Sequence, residues 1–137
     1  MTAPREWTFG TNRVCFEPPA LVVAKFVGPT GLEEARNVLR VYKELGTQQP
    51  FFLIVDTAES TMDKEAREYF TQNLRLEWLQ GVVYVGAGLV QKAATKAMAF
   101  AIYVAGRSSL DFLFARTVAE ARALYERKRR ALAAKVS

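Results

Sequence analysis

Histidine is missing from all 137 residues. Its absence excludes Ser-His-Asp and Cys-His hydrolysis within this chain, His-ligated metal sites and an imidazole proton shuttle. Cysteine occurs once, as Cys15, so an internal disulfide and a multi-Cys zinc or iron–sulfur site are excluded too. With no histidine to serve as its base, the thiol between Val14 and Phe16 reads as a small strand residue, not a nucleophile. Long apolar runs are also scarce. The longest, Ala97 to Ala105, lies between Lys96 and Arg107 and falls far short of the ~20 residues that cross a bilayer. The opening Met1-Thr2-Ala3-Pro4-Arg5-Glu6 is polar and lacks the apolar stretch of a secretory leader. A lone thiol with no leader and no anchor sets the expectation of a reducing cytoplasm.

What is present is ordinary globular composition. Hydrophobic residues make up 50% and charged residues 24%, enough apolar material for a core without staples. The length predicts one domain over 1–137, with a flexible N-terminus over 1–6 and a frayed C-terminus over 131–137. The formal net charge is +5. Residues 120–137 hold six basic against two acidic residues, so most of that excess belongs to the end of the chain and the body is nearly neutral.

Periodicity gives an alternating order. Trp7-Thr8-Phe9 and Arg13 to Glu17 flank the turn-rich Gly10-Thr11-Asn12 as a hairpin, and after Pro18-Pro19 the segment Ala20 to Val27 is a third strand. Thr30 with Glu33 forms a capping-box pattern for a helix through Leu45, with Gly46 as its C-cap. Phe51-Phe52-Leu53-Ile54-Val55 reads as a strand buried on both faces, running into Asp56 and a loop over 57–61. A second helix starts at Asp63 and continues through Gln80, where Gly81 closes it. Val82 to Val85 is the next strand, 89–105 a third helix, 110–114 a last strand, and Thr117 with Glu120 caps a final helix. The resulting fold class is α/β with a mixed sheet, in the order β-β-β-α-β-α-β-α-β-α: the opening hairpin is antiparallel and the later alternation demands parallel pairing.

That order, together with Leu53-Ile54-Val55-Asp56-Thr57-Ala58-Glu59-Ser60-Thr61-Met62-Asp63-Lys64-Glu65-Ala66, resembles the STAS domains of bacterial anti-sigma-factor antagonists and the wider SpoIIAA-like group related to SEC14-like lipid-binding domains. In the antagonists a Met-Asp leads into Ser-Ser-Gly at a helix start, where a kinase phosphorylates serine. Met62-Asp63 is present here, but Lys64, Glu65 and Ala66 stand at the next three positions, so the resemblance implies the fold without the phosphorylation switch. It also implies a regulatory binding module, not an enzyme, with no cofactor and no metal.

Several residues have two readings. Asp56, at the carboxyl end of a buried strand, stands where open α/β sheets place ligands, but an aspartyl-phosphate receiver needs an acidic pair after an early strand, and Pro18-Pro19 occupies that loop. The alternative is an aspartate capping the amides that follow it. Ser60 and Thr61 are either phosphate acceptors ahead of a helix or simple backbone caps. Gly86-Ala87-Gly88, with Lys92 following, has the placement of an anion-binding turn; Gln91 stands where a dinucleotide fingerprint needs its third glycine, so tight packing is the competing account. The stretch 97–105 is apolar all round and must be covered all round. Ala99, Phe100 and Tyr103 therefore mark a dimer face or an apolar-ligand pocket, with packing by the C-terminal segment as the plainer account. The cluster Arg122, Glu126-Arg127-Lys128-Arg129-Arg130 and Lys135 could meet nucleic acid or an anionic membrane, but basic side chains near a helix C-terminus also suit its dipole, and a solvated helix is the expected reading.

The expectation is thus a cytoplasmic module that docks to a regulatory protein partner through Asp56, Ser60, Thr61, Asp63, Lys64, Glu65 and Arg67. A homodimer, or a carrier of a lipid or other apolar small molecule in a SEC14-like pocket near the third helix, is the alternative.

Overall fold

Residues 4–86 and 112–136 are described by the structure, a computed structural model. The chain opens with β1 (Arg5–Phe9) and β2 (Asn12–Glu17), then β3 (Leu21–Thr30) after a cis Pro18–Pro19 bond. There follow α1 (Leu32–Gln48), β4 (Phe51–Met62), α2 (Lys64–Asn73), a 3-10 turn (Leu76–Trp78), β5 (Leu79–Val85), β6 (Phe112–Ala115) and α3 (Val118–Val136). The six strands form one sheet in chain order. β1, β2 and β3 pair antiparallel, and β3 to β6 pair parallel. This is the expected mixed sheet. The helix expected over 89–105 lies outside the described residues.

Strand period two divides the apolar residues between two cores. Val14 and Phe16 of β2, Val22, Ala24 and Phe26 of β3, Phe51, Leu53 and Val55 of β4, and Val82 and Tyr84 of β5 face one way, under α1 and α2. From α1 come Ala35, Val38, Leu39, Tyr42 and Leu45, spaced three and four apart as a helix must space one buried face; α2 adds Ala66 and Phe70. The opposite face carries Leu21, Phe52, Ile54, Val83, Val85 and Ala115, which Ala121 and Tyr125 of α3 cover. Phe52 and Tyr125 meet with ring centroids 5.2 Å apart. A five-residue apolar run at 51–55 is thus needed because β4 is central and buried on both sides.

Five local expectations are corrected. Arg5 and Glu6, assigned to a flexible terminus by sequence alone, belong to β1 opposite Phe16 and Cys15, and Arg5 pairs with Glu44 at 3.1 Å. Gly46 does not end α1, which continues to Gln48; it is buried against Trp78. The second helix stops at Asn73 instead of Gln80, and Gly81 lies inside β5 beside Phe52. The segment 57–61 is strand, not loop, because it stays paired with β3. The start of α1 is shifted by one residue: Gly31 holds the N-cap position, and its amide donates to Glu34 Oε2 at 3.2 Å. At the far end of the chain α3 extends to Val136.

The shift leaves Thr30 as the last residue of β3, fully buried, with an Oγ1 that has no hydrogen-bond partner among the described residues. An unpaired buried hydroxyl costs about 1–3 kcal/mol of desolvation. Thr30→Val keeps the shape and removes the hydroxyl, so it is expected to raise stability by about 1 kcal/mol, seen as a Tm a few degrees higher. A lower Tm would mean that the hydroxyl is satisfied.

Candidate functional site

The chemistry-bearing residues between 56 and 67 are arranged by what β4 does at its carboxyl end. Up to Asp56 the strand pairs on both sides, with β3 through Lys25 and with β5 through Val85. Beyond it β4 leaves β5 but continues beside β3 to Met62, after a register shift in which Lys25 is opposite Asp56 and Val27 opposite Glu59. One more residue is used on β4 than on β3, which is a bulge at Thr57–Ala58. A one-residue insertion exchanges the faces of everything after it. Odd-numbered residues of β4 face α1 and α2 before the bulge, whereas Met62 packs on that core after it. Glu59 and Thr61 are exposed in consequence.

Three side chains fix the bulge. Asp56 Oδ1 accepts the Ala58 amide at 3.1 Å, Thr57 Oγ1 donates to the Val85 carbonyl at 3.2 Å, and Ser60 Oγ donates to the Thr57 carbonyl at 3.3 Å. On the β5 side Gly86 adopts φ +72°, and a Cβ there would lie 2.5 Å from Ala58 Cβ. Among the described residues Gly86 packs on the bulge. The other residues of the anion-turn pattern, Ala87, Gly88, Gln91 and Lys92, lie outside the described residues.

The ribbon of β3 and β4 ends in α2. The Asp63 amide donates to the Thr30 carbonyl at 3.0 Å, which ties the start of α2 to the end of β3. Asp63 occupies the N-cap position, but its side chain makes no capping hydrogen bond. Lys64 pairs with Glu68 at 3.9 Å across one helical turn, an exposed contact worth a few tenths of a kcal/mol. Asp63, Lys64, Glu65 and Arg67 are all exposed, while Ala66 points into the core.

The seven predicted residues thus fall into two groups. Asp56 and Ser60 are half-buried and spend their polar atoms on the bulge; Thr61, Asp63, Lys64, Glu65 and Arg67 form an exposed tip. Asp56 and Thr61 lie opposite Lys25 and Pro29 of β3, four strand steps or about 13 Å apart at about 3.3 Å per residue, so the seven residues do not converge on one atom. Sequence reasoning missed Glu59 and Glu68, which share the exposed tip, and the part played by Ala58. The only sequence signal for the bulge is Asp56 two residues before the amide it accepts. Ala99, Phe100 and Tyr103, the expected dimer or ligand face, lie outside the described residues.

Elsewhere the polar chemistry is structural. Arg122 of α3 grips Glu17 of β2 through two hydrogen bonds of 2.8 and 2.6 Å, and this guanidinium holds the Glu17 carboxyl below the usual carboxylate range. Cys15 is half-buried, and burial with Glu6 and Glu17 nearby raises its thiol pKa, the opposite of what a nucleophile needs. Among the described residues no group of three or more Cys, Asp or Glu side chains is placed to hold a metal, and no helix is long and apolar enough to cross a membrane.

No protein-family model matches the chain, and no curated protein matches it. In structure it is similar to an uncharacterized protein of the DUF3478 family with a SpoIIAA-like fold from Shewanella loihica PV-4. The TM-score is 0.57 at 13% sequence identity, over 89% of this chain and 91% of that one. The fold is therefore SpoIIAA-like, as the order of elements and the segment 53–66 imply, and at this identity the likeness concerns the fold alone.

Proposed function

We propose that the chain is a non-catalytic regulatory module of the cytoplasm that docks to another protein through the tip formed by Thr61, Asp63, Lys64, Glu65 and Arg67. The observation that carries this reading is the exposure of five polar or charged side chains on a paired support: a ribbon of β3 and β4 extending past β5 and a helix start tied to it by the Asp63–Thr30 backbone bond. A preorganised charged surface loses little entropy on association and selects its partner by complementary charge. Asp56 and Ser60 act behind this tip by holding the bulge that sets which residues face outward.

The test is affinity capture with the wild-type chain and with Lys64→Glu/Arg67→Glu. Both side chains are exposed, so the variant is expected to fold with a Tm within a few degrees of wild type. The specific partner is expected to be captured by the wild type and lost, or weakened by about tenfold or more, with the variant. Equal capture by both proteins would reject this face.

A further inference from the structure

All the cations of helix α1 stand in one row. At about 100° per residue Arg36, Arg40 and Lys43 fall within about 60° of one another, nearly opposite the buried Val38, Tyr42 and Leu45. Their side chains are exposed, so they form the outermost line of the helix, about 10 Å long at 1.5 Å per residue. Each carboxylate of α1 already has a partner: Glu34 accepts the Gly31 amide at 3.2 Å, Glu44 pairs with Arg5 at 3.1 Å, and Glu33 lies 4.0 Å from Arg36. Arg36 also sits over the Tyr69 ring of α2, 5.9 Å from its centroid. Arg40 and Lys43 have no ion pair among the described residues.

This row works against the helix that carries it. Arg36 and Arg40 are neighbours at i,i+4, and Arg40 and Lys43 at i,i+3; like charges so placed destabilise a helix. The helix dipole gives no compensation, because no basic residue lies in the last turn of α1. An anion from outside the fold would offset the repulsion, and the shape of the row selects its kind. Polybasic membrane-binding segments use about four to eight cations, or add apolar side chains that enter the bilayer. Here there are three cations, and the exposed large hydrophobic residue among those described, Leu113, is on β6. Single-stranded nucleic acid stacks on aromatic rings, and Arg36 already lies over the ring beside this row. The major groove of a duplex receives a helix between two rows of phosphates, whereas these cations make a single row. A second helix fits a single row. Carboxylates at i, i+4 and i+7 repeat the steps of about 6 and 4.5 Å between Arg36, Arg40 and Lys43, as charges do along the flanks of a coiled coil.

We propose that the outer row of α1 docks an acidic helix of a protein partner, with Arg36, Arg40 and Lys43 each facing a carboxylate spaced i, i+4 and i+7. The proposal does not rest on the tip at 61–67, which belongs to β4 and α2, and the substitutions that test the two surfaces share no residue.

The experiment is a titration of the full chain, followed by amide chemical shifts, with a synthetic alanine-rich peptide of about 20 residues whose glutamates repeat at i, i+4 and i+7. An isomer of the same composition, with its glutamates spread around the axis, is the comparison. At about 20 mM salt the first peptide is expected to move the amides of 36–47 and to bind at least about fivefold more tightly than the isomer. Raising the salt to about 200 mM is expected to weaken it by about tenfold, because exposed pairs are screened. Arg40→Gln/Lys43→Gln is expected to keep the wild-type Tm within a few degrees and to weaken binding by about fivefold, and Arg40→Glu/Lys43→Glu by at least about tenfold. Arg127→Glu/Arg130→Glu, which alters the other basic cluster, is expected to bind as the wild type. Equal binding of the two peptides, unchanged binding by the neutral variant, or loss of binding in the α3 variant would each overturn the proposal. So would shifts of 36–47 produced by a DNA duplex or by phosphatidylserine vesicles at lower concentrations than by the peptide.

Discussion

Gly46→Ala is expected to destabilise the protein by about 2 kcal/mol and to lower its Tm by on the order of 8 °C, against the direction that helix propensity alone would give. In an exposed helix interior, alanine in place of glycine gains about 1 kcal/mol. Gly46 is not exposed: α1 passes over the 3-10 turn at 76–78 there, and an added Cβ would lie 2.3 Å from Trp78 Cβ, 2.4 Å from Cγ and 2.8 Å from Cδ1. The first of these atoms is bonded to the backbone, so a rotamer change cannot clear it. The turn and α1 must separate, and overpacking of this kind costs about 1–3 kcal/mol or more, which outweighs the propensity gain. Thermal unfolding of the single variant decides the sign. A Tm equal to or above that of the wild type would show that α1 and Trp78 do not approach as closely as these distances require.

The same glycine shows where local reading of the sequence succeeds and where it fails. The run 51–55, the alternation at Val14–Phe16 and the spacing of Ala35, Val38, Leu39, Tyr42 and Leu45 are properties of each segment by itself, and each is placed as its pattern demands. Gly46 and Gly81 are different. A glycine after a helical pattern commonly marks a stop, but these two are needed because Trp78 and Phe52 come close to them, and a contact between distant segments leaves no local trace. The stretch 57–61 fails for a related reason. Ala58 and Glu59 are depleted in strands and Ser60 favours turns, and the pairing of Glu59, Ser60, Thr61 and Met62 with β3 overrides that local preference. At the candidate site, the residue types were legible while their division into a bulge and a tip was not. The resemblance to STAS domains located the segment, and the position of the bulge, marked in the sequence only by Asp56 two residues before the amide it accepts, decides which of its side chains face outward.

The bulge gives the other large expected effect. Gly86→Ala is expected to cost about 3 kcal/mol and to displace the segment 58–61. Two penalties combine. An alanine held at φ +72° gives up about 1–2 kcal/mol relative to glycine, and its Cβ would meet Ala58 at 2.5 Å from Cβ and 2.9 Å from Cα. Relief requires the bulge to move, since Gly86 is itself anchored by the 3.0 Å hydrogen bond from its amide to the Ala115 carbonyl. The Asp56–Ala58 and Thr57–Val85 hydrogen bonds would then lengthen, and the ribbon ahead of α2 would lose the register that keeps Met62 in the core and Thr61 outside. Amide chemical shifts of 56–62 and the Tm report the two consequences separately. Adding Ala58→Gly removes the closer contact but neither the Ala58 Cα nor the φ penalty, so the double variant is expected to recover about half of the lost stability. If Ala58→Gly recovers nothing while Gly86→Ala still destabilises, the cost lies in the φ of Gly86 and its approach to the Ala58 backbone, and the Ala58 side chain takes no part in it. If it recovers stability together with the wild-type shifts of 59–62, the contact between Gly86 and Ala58 is what aims the exposed tip.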